Sequence, residues 1–259
     1  MITDLAAVVL GLLTGILSGA FGVGGAVIST PGIRLLGASA YAAVGTTLPP
    51  ILPGAISGTI RYSRDRLVDW KVVAGAAPAG VVAAVVGSLL SHGVPGDGHW
   101  LMVLTAVLIG LTAIRTARMP DEAGRTAVDT SPVRKSGVVM AAVGAAGGML
   151  SGLLGLGGAL ALIPGFNQIL RLPIKTSVAT SLACVGILAV PSTITHALLG
   201  DIDWRLALLL SVGVVPGARM GASLSVRATN RRLRLAVAGF LGLLSVVYGV
   251  SELVALLGR

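Results

Sequence analysis

Ser18-Gly19-Ala20-Phe21-Gly22-Val23-Gly24-Gly25 is a glycine-rich stretch that recurs 133 residues later as Ser151-Gly152-Leu153-Leu154-Gly155-Leu156-Gly157-Gly158. Both copies follow the pattern S-G-x-x-G-x-G-G and lie inside long apolar runs. Lipid offers no hydrogen bonds, so non-helical backbone at membrane depth is tolerated only where protein buries it or where it lines a cavity. Matched breaks in two halves of a chain therefore indicate a duplicated membrane protein and point to a transporter's binding site.

The composition also indicates a membrane protein. The chain has 259 residues, of which 54% are hydrophobic and only 11% are charged, whereas a soluble domain carries about 25% charged residues. Apolar runs such as 72–90 and 233–250 approach the about 20 residues that a spanning helix needs. A transmembrane barrel would show alternating polar and apolar positions with aromatic girdles, and the sequence shows neither. We therefore predict an all-helical polytopic membrane protein.

The charge and the cysteine content exclude other classes. The net charge of +9 comes from basic residues clustered in short loops, which indicates orientation in a bilayer. No basic face with interleaved aromatic residues is visible, so we expect no nucleic-acid partner. Cys184 is the only cysteine, which excludes an intrachain disulfide or a cysteine metal site. We expect no metal and no cofactor, and a coupling ion such as H⁺ or Na⁺ stays open.

The internal repeat covers nearly the whole of each half at an offset of 133 to 134 residues. A tandem duplication explains such a constant offset. We predict a first membrane repeat over 1–118, a polar connecting loop over 119–135 and a second membrane repeat over 136–259. Besides the glycine stretch, the matching positions are Gly11, Gly15 and Gly19 with Gly144, Gly148 and Gly152, Pro31 with Pro164, 44–47 with 178–181, Asp69-Trp70 with Asp203-Trp204, and Gly87 with Gly221.

Each half divides into five apolar segments, of which the first two are short. A helix of about 14 residues covers about 21 Å, less than the about 30 Å hydrocarbon core. We interpret each short pair as a helical hairpin bent at the glycine stretch, followed by three spanning helices; two tilted spans joined by a tight turn are the alternative. The segments are 5–20, 23–36, 42–61, 70–91 and 100–117, then 137–153, 157–170, 175–199, 204–226 and 234–257.

The loop charges predict an inverted relation between the halves. Loops 61–71, 115–135 and 227–234 are rich in Lys and Arg, whereas loops 91–99 and 200–204 contain none, so the first group should be cytoplasmic. The hairpins must then enter and return, one from each side of the membrane. This topology places both termini on the outer side of a bacterial inner membrane. Arg34 and Arg205 fall on the outer side and count mildly against it.

The helix that follows each glycine stretch should begin in the glycine turn. Its first backbone N–H groups have no partners within the helix, and with the helix dipole they form an anion site that glycine lets a ligand approach. Hydroxyl groups in matched positions are candidate hydrogen-bond partners of the ligand. The alternative is that they bond carbonyl groups of their own helix. Gly11, Gly15 and Gly19 are better explained as a helix contact face. The candidate substrate-binding residues are Ser18, Gly22, Gly24, Gly25, Thr46, Thr47, Ser151, Gly155, Gly157, Gly158, Thr180 and Ser181.

Catalysis finds little support in the sequence. No H-E-x-x-H motif is present and no carboxylate pair lies within an apolar run, so we predict that the protein is not an enzyme. A cation path would place carboxylates in the membrane, and their absence favours a neutral or anionic substrate. His196 lies near a helix end, where an interfacial histidine is favoured over a proton relay.

At these motifs the chain resembles the sulfite exporter TauE/SafE family, also called the toluene-sulfonate uptake permease family. The resemblance rests on 15–25 with Pro31, 148–158 with Pro164, 178–181 and the two Asp-Trp pairs, and it covers both halves. It implies an inner-membrane permease for a small anion such as sulfite, a sulfonate or sulfoacetate. Substrate and direction differ between members.

We therefore predict a permease that works by alternating access of one repeat against the other. An anion channel and a non-transporting accessory protein are the alternatives. Its partners are a small anion and the lipid bilayer, and the oligomeric state stays open, a homodimer included.

Overall fold

The computed structural model describes residues 2–22, 24–35, 39–91, 107, 110–111, 113–114, 118, 136–155 and 157–257. The regular elements in these ranges are all helical. The predicted segment 100–117 lies mostly outside the described residues, and the predicted loop 119–135 lies entirely outside them. The helices are α1 (Ile2–Phe21), α2 (Ala26–Leu35), α3 (Ala40–Arg64), α4 (Trp70–Ser91), α5 (Gly137–Leu154), α6 (Ala159–Pro164, continued by a π-helical turn Gly165–Ile169), α7 (Ile174–Leu198), α8 (Trp204–Arg227) and α9 (Asn230–Leu257).

The arms of the two hairpins are less equal than the sequence suggests. α1 and α5 have 20 and 18 residues, longer than expected, while α2 has 10 and α6 has 6 before it widens into the π-helical turn. Pro164, which brings no N–H group to the helix, is the last residue of α6 before the chain continues in the π-helical turn. Among the described helices, four are long and apolar enough to cross a membrane: α1, α4, α7 and α8.

α1 and α8 pack side by side and run in the same direction. A Cβ added at Gly11 would collide with the carbonyl of Leu210, and one at Gly19 with the carbonyl of Ala218. The carbonyl of Ile16 in turn fills the space beside Gly221. The two backbones therefore touch directly, as small residues allow in membranes.

α5 and α4, which are the equivalents of α1 and α8, form a matching pair. The glycines at 144, 148 and 152 face the carbonyls of Ala76, Gly80 and Ala84 in order. The contact face that the sequence predicts for these glycines is thus confirmed. Each half supplies the first helix of one pair and the fourth helix of the other.

α3 and α7 pack against each other at the centre of the molecule. A Cβ at Gly58 would lie 2.6 Å from Leu182 Cδ2, and one at Gly186 would lie 2.9 Å from the Cβ of Ala55. Both helices have 25 residues, about 37 Å at 1.5 Å per residue, which exceeds the hydrocarbon thickness. α7 is two-thirds buried, so it belongs to the core.

We expect Gly148→Ala to lower the melting temperature of the detergent-solubilised protein by several degrees. The new methyl group would collide with the backbone carbonyl of Gly80, and overpacking of this kind costs about 1–3 kcal/mol. Gly249→Ala on α9 is the matched control, because nothing lies within 4 Å of the added carbon. Equal melting temperatures for both variants would contradict the direct backbone contact.

Candidate substrate site

All six glycines of the two G-x-G-G turns have left-handed backbone conformations. Their φ angles lie between 66° and 78°, a region that is costly for residues with a side chain. The chain leaves α1 and α5 through the first glycine of each turn and enters α2 and α6 through the last. The glycines are Gly22, Gly24 and Gly25 in the first half and Gly155, Gly157 and Gly158 in the second.

Each turn is seated against the central helix of the other half. A Cβ at Gly22 would lie 2.6 Å from the carbonyl oxygen of Val178 on α7, and one at Gly155 would lie 2.5 Å from Val44 Cγ1 on α3. Val44 and Val178 are themselves equivalent positions of the repeat. The turns therefore rest on matching surfaces, and only glycine leaves room for this approach.

The two turns meet at Gly24 and Gly157. A Cβ built at Gly157 would lie 3.8 Å from the Cα of Gly24, 2.8 Å from Val185 Cγ1 and 3.5 Å from Ile51 Cδ1. Since Gly24 and Gly157 are equivalent positions, the two glycine stretches come together at the centre of the molecule. In this conformation they are in contact.

Two of the candidate hydroxyl groups lie at the turns. Ser181 Oγ donates to the carbonyl of Gly22 at 3.3 Å, so it holds the first turn directly. Thr47 Oγ1 donates to the carbonyl of Val44 at 2.8 Å, the residue on which the second turn rests. It also lies 3.5 Å from Thr30 Oγ1 on α2.

The other two candidate threonines join the halves at helix starts. Thr46 Oγ1 accepts from the backbone N–H of Asp203 at 2.9 Å, and Thr180 Oγ1 accepts from that of Asp69 at 3.0 Å. Each aspartate also caps its helix, because its Oδ1 accepts N–H groups of the first turn of α8 or α4. The repeated Asp-Trp pairs therefore mark the starts of these two helices.

The candidate serines are buried beneath the turns. The carbonyls of Ser18 and Ser151 accept the N–H groups of Gly22 and Gly155 at 2.7 and 2.9 Å. Their side chains are almost fully buried. In the described part of the chain, Ser151 Oγ has no hydrogen-bond partner, which leaves a buried polar group beside the second turn.

A small cavity of about 10 Å³ lies beside the first turn, about the volume that one water needs. Thr14, Ser29 and Thr47 line it together with Gly24, and Ile51 and Leu210 form part of its apolar wall. Thr14 is 3% exposed, and among the described residues its Oγ1 has no partner. A sulfite ion is larger than this cavity.

Thr14 and Ser29 cannot be found by looking for hydroxyl residues at equivalent positions of the two halves. Their equivalents are Gly147 and Leu162, so neither position shows a matched hydroxyl. The only available signal for Thr14 is its place one helical turn before Ser18, on the same face of α1. Of the three hydroxyl residues that line this cavity, only Thr47 therefore has a hydroxyl counterpart in the second half, Ser181.

The surroundings of the turns carry little charge. After Asp4, α1 has no ionisable residue, and α5 and the stretch 157–169 have none. No group of three or more metal-ligating side chains occurs within the described ranges. The polarity of the site comes from hydroxyl groups and from backbone amides.

We expect Thr46→Val and Thr180→Val to lower thermal stability by similar amounts. Each removes one buried acceptor from a helix-start N–H group, a loss of about 1–3 kcal/mol. Thr46→Ser and Thr180→Ser keep the oxygen and should recover most of the loss in melting temperature. Valine variants as stable as wild type would show that these bonds do not join the halves.

Comparisons with known proteins agree with this architecture. The family model for the sulfite exporter TauE/SafE matches residues 7–248. The probable membrane transporter protein YunE of Bacillus subtilis is 28% identical over 250 residues, covering 88% of each chain. A probable membrane transporter protein of Xylella fastidiosa is 27% identical over 244 residues, covering 92% of this chain and 91% of its own. No solved structure shows a significant match. The chain is therefore a multi-pass membrane transporter that belongs to the sulfite exporter TauE/SafE family.

Proposed function

We propose that this protein is a permease that moves a small sulfur-containing or organic anion across the bacterial inner membrane by alternating access. Sulfite, a sulfonate or a sulfoacetate-like compound fits this class. The observation that carries the proposal is the contact between equivalent glycines, Gly24 and Gly157, at the centre of the molecule. Two polar-backboned turns facing each other offer a site that both halves share.

The helix directions support inverted repeats. α3 begins beside Asp201, which lies against Gly45, and ends at Arg64. α7 begins near Asp69, which bonds Thr180, and ends at Leu198. The equivalent helices α3 and α7 thus run in opposite directions between the two ends of the molecule. α4 and α8 follow α3 and α7, so they also run in opposite directions. Because α1 is parallel to α8 and α5 is parallel to α4, the equivalent helices α1 and α5 run in opposite directions as well.

Buried hydroxyl groups support an anionic substrate. α2 and the helical stretch Ala159–Ile169 both begin at the central turns. The N–H groups of Ile28 and Ala161 already donate to the turn carbonyls of Gly25 and Gly158 at 3.0 and 3.1 Å, whereas the N–H groups that precede them have no carbonyl within their helix to bond. Thr14 and Ser151 add buried hydroxyl groups without partners among the described residues. Unpaired donors of this kind are costly to bury, so an anion that accepts from them would be bound favourably.

The small size of the cavity beside the first turn supports a carrier. Its volume of about 10 Å³ admits no anion of four or more heavy atoms, so binding needs the turns to separate. Gly157 packs against the apolar side chains of Val185 and Ile51, so separating the turns at this point breaks van der Waals contacts and no hydrogen bond of these side chains. Movement of one repeat against the other would open the site to one side at a time.

We expect Gly157→Val to reduce anion uptake into proteoliposomes at least tenfold. Valine at φ +71° is strained and its Cβ would push against Val185, so the turns cannot approach as they do here. Gly249→Val on α9, where the added carbon meets nothing within 4 Å, is the matched control. Gly157→Ala is the milder variant should the valine protein not fold. Normal uptake by both Gly157→Val and Gly157→Ala would show that the glycine turns do not form the substrate site.

We expect Thr47→Cys, in a Cys184→Ser background, to react slowly with an impermeant thiol reagent and to change its rate when methanesulfonate or sulfite is added. Thr47 lines the small cavity and is 1% exposed, so a reagent reaches this position more readily when the turns separate. A carrier should also show saturable counterflow. Large uncoupled currents in planar bilayers would indicate a channel instead, and no counterflow with any small anion would indicate an accessory protein.

A further inference from the structure

Tyr62 and His196 occupy equivalent positions in the two halves, on α3 and α7. Tyr62 Oη donates to the carbonyl of Gly19 at 2.7 Å. His196 Nε2 lies 3.4 Å from the carbonyl of Gly152, the equivalent of Gly19. Both side chains are fully buried. Each half therefore ties its third helix to the helix that leads into a glycine turn, but with different chemistry.

The histidine has a second partner. Its Nδ1 lies 2.8 Å from Oδ2 of Asp201, whose side chain is 11% exposed while that of His196 is fully buried. Asp201 also donates its backbone N–H to the carbonyl of His196 at 3.0 Å. The carboxylate thus links the buried ring to the surface at the end of the molecule where α8 begins.

The two acceptors around the ring require a proton for both bonds. A neutral imidazole has one N–H group, whereas an imidazolium has two. If the neutral ring donates to Asp201, the lone pair of Nε2 faces the Gly152 carbonyl; if it donates to Gly152, the lone pair of Nδ1 faces the carboxylate. Only the protonated ring satisfies both. Tyr62 makes its bond in the first half without any change of protonation.

The pair also contacts the first half of the chain. A Cβ at Gly45 would lie 2.6 Å from the carbonyl oxygen of Asp201. Gly45 precedes Thr46, which bonds Asp203. Gly152 in turn lies three residues before the turn glycine Gly155, on α5. Through these contacts His196 and Asp201 join the helix that carries the second turn to the part of the molecule where α3 begins.

The other ionisable groups on the neighbouring helices are few. α5 has none, and the only one on α4 is Lys71 in its first turn, at the opposite end of the molecule. The beginning of α8 carries Asp203 and Arg205, and Arg205 Nη2 donates to Asp4 Oδ1 of α1 at 2.8 Å. In the described sequence of α3, the ionisable residue at this end is Tyr41.

We propose that His196 and Asp201 form a proton-binding site that makes the proton the coupling ion of transport. This inference rests on the proposed carrier function. The Asp201 carboxylate receives a proton from a hydronium ion, whose O–H bond breaks, and passes it to Nδ1, where the lone pair of the neutral ring becomes the new N–H bond. When the second turn leaves the centre, α5 carries the Gly152 carbonyl away from Nε2. Nε2 then gives its proton to water that enters the opened site, and the electrons of that N–H bond return to the ring as a lone pair.

The test uses proteoliposomes of the full chain with trapped pyranine and methanesulfonate as the probe. A sulfonate keeps its charge between pH 5 and 8, so any pH change inside reports proton movement with the anion. Histidine is the side chain that ordinarily changes charge in this range. We expect wild-type protein to move protons with methanesulfonate and to accumulate it in a pH gradient.

His196→Tyr is the decisive variant, because it copies the residue of the first half and can keep a bond to Gly152. We expect proton movement per anion to fall at least tenfold while methanesulfonate counterflow, which needs no gradient, persists. Asp201→Asn should lower proton movement per anion to the same extent. This variant serves as the test if His196→Tyr does not fold. Tyr62→Phe, the matched control, should stay proton-coupled.

The outcomes separate the two proposals. Undiminished proton movement in both His196→Tyr and Asp201→Asn would overturn the proton site while leaving the carrier intact. Loss of coupling in Tyr62→Phe as well would overturn it too, since any change at these positions would then suffice. Absence of counterflow in the wild-type protein with methanesulfonate and with sulfite would overturn the carrier function itself.

Discussion

The structure depends on helices that touch backbone to backbone. Lipid provides no hydrophobic drive for helices to associate, so close van der Waals packing must hold them together. The glycines of α1 and α5 admit carbonyl groups of α8 and α4 with no side chain between them. Because each pair takes one helix from each half, the two repeats cannot form separate bodies. The central turns follow α1 and α5 directly in the chain, so the packing of these pairs fixes where the turns lie.

The glycine turns bring polar backbone into this apolar interior. Their amides and carbonyls need partners inside the protein, where few water molecules can supply them. Part of the need is met within the protein, as the Ser181 hydroxyl shows by donating to Gly22. Thr46 and Thr180 serve the equivalent need at two helix starts. Among the described residues, the hydroxyl groups of Thr14 and Ser151 remain without a hydrogen-bond partner. Both lie next to the turns.

The departures from symmetry carry as much information as the symmetry. Positions that pack, such as Gly24 with Gly157 and Val44 with Val178, keep their character in both halves. Matched polar positions such as Thr46 and Thr180 also keep their role. Two other polar positions differ: Thr14 faces the first turn while glycine stands at its equivalent, and His196 stands where the other half has Tyr62. A duplicated scaffold constrains its contacts but leaves such side chains free to specialise.

The sequence by itself determined the helical membrane class and the duplicated glycine stretches, and it predicted most boundaries of the described helices to within a few residues. It could do so because apolar run length, proline and glycine act locally or at a fixed offset. It also pointed to the twelve candidate residues, since duplication made them visible twice. Only the tertiary structure decided that Thr46 and Thr180 bond Asp203 and Asp69, that Gly24 meets Gly157, and that Thr14 and the His196–Asp201 pair lie where they do. These facts depend on contacts between residues more than 100 positions apart or on unmatched positions, and no local pattern encodes which backbone a glycine will face.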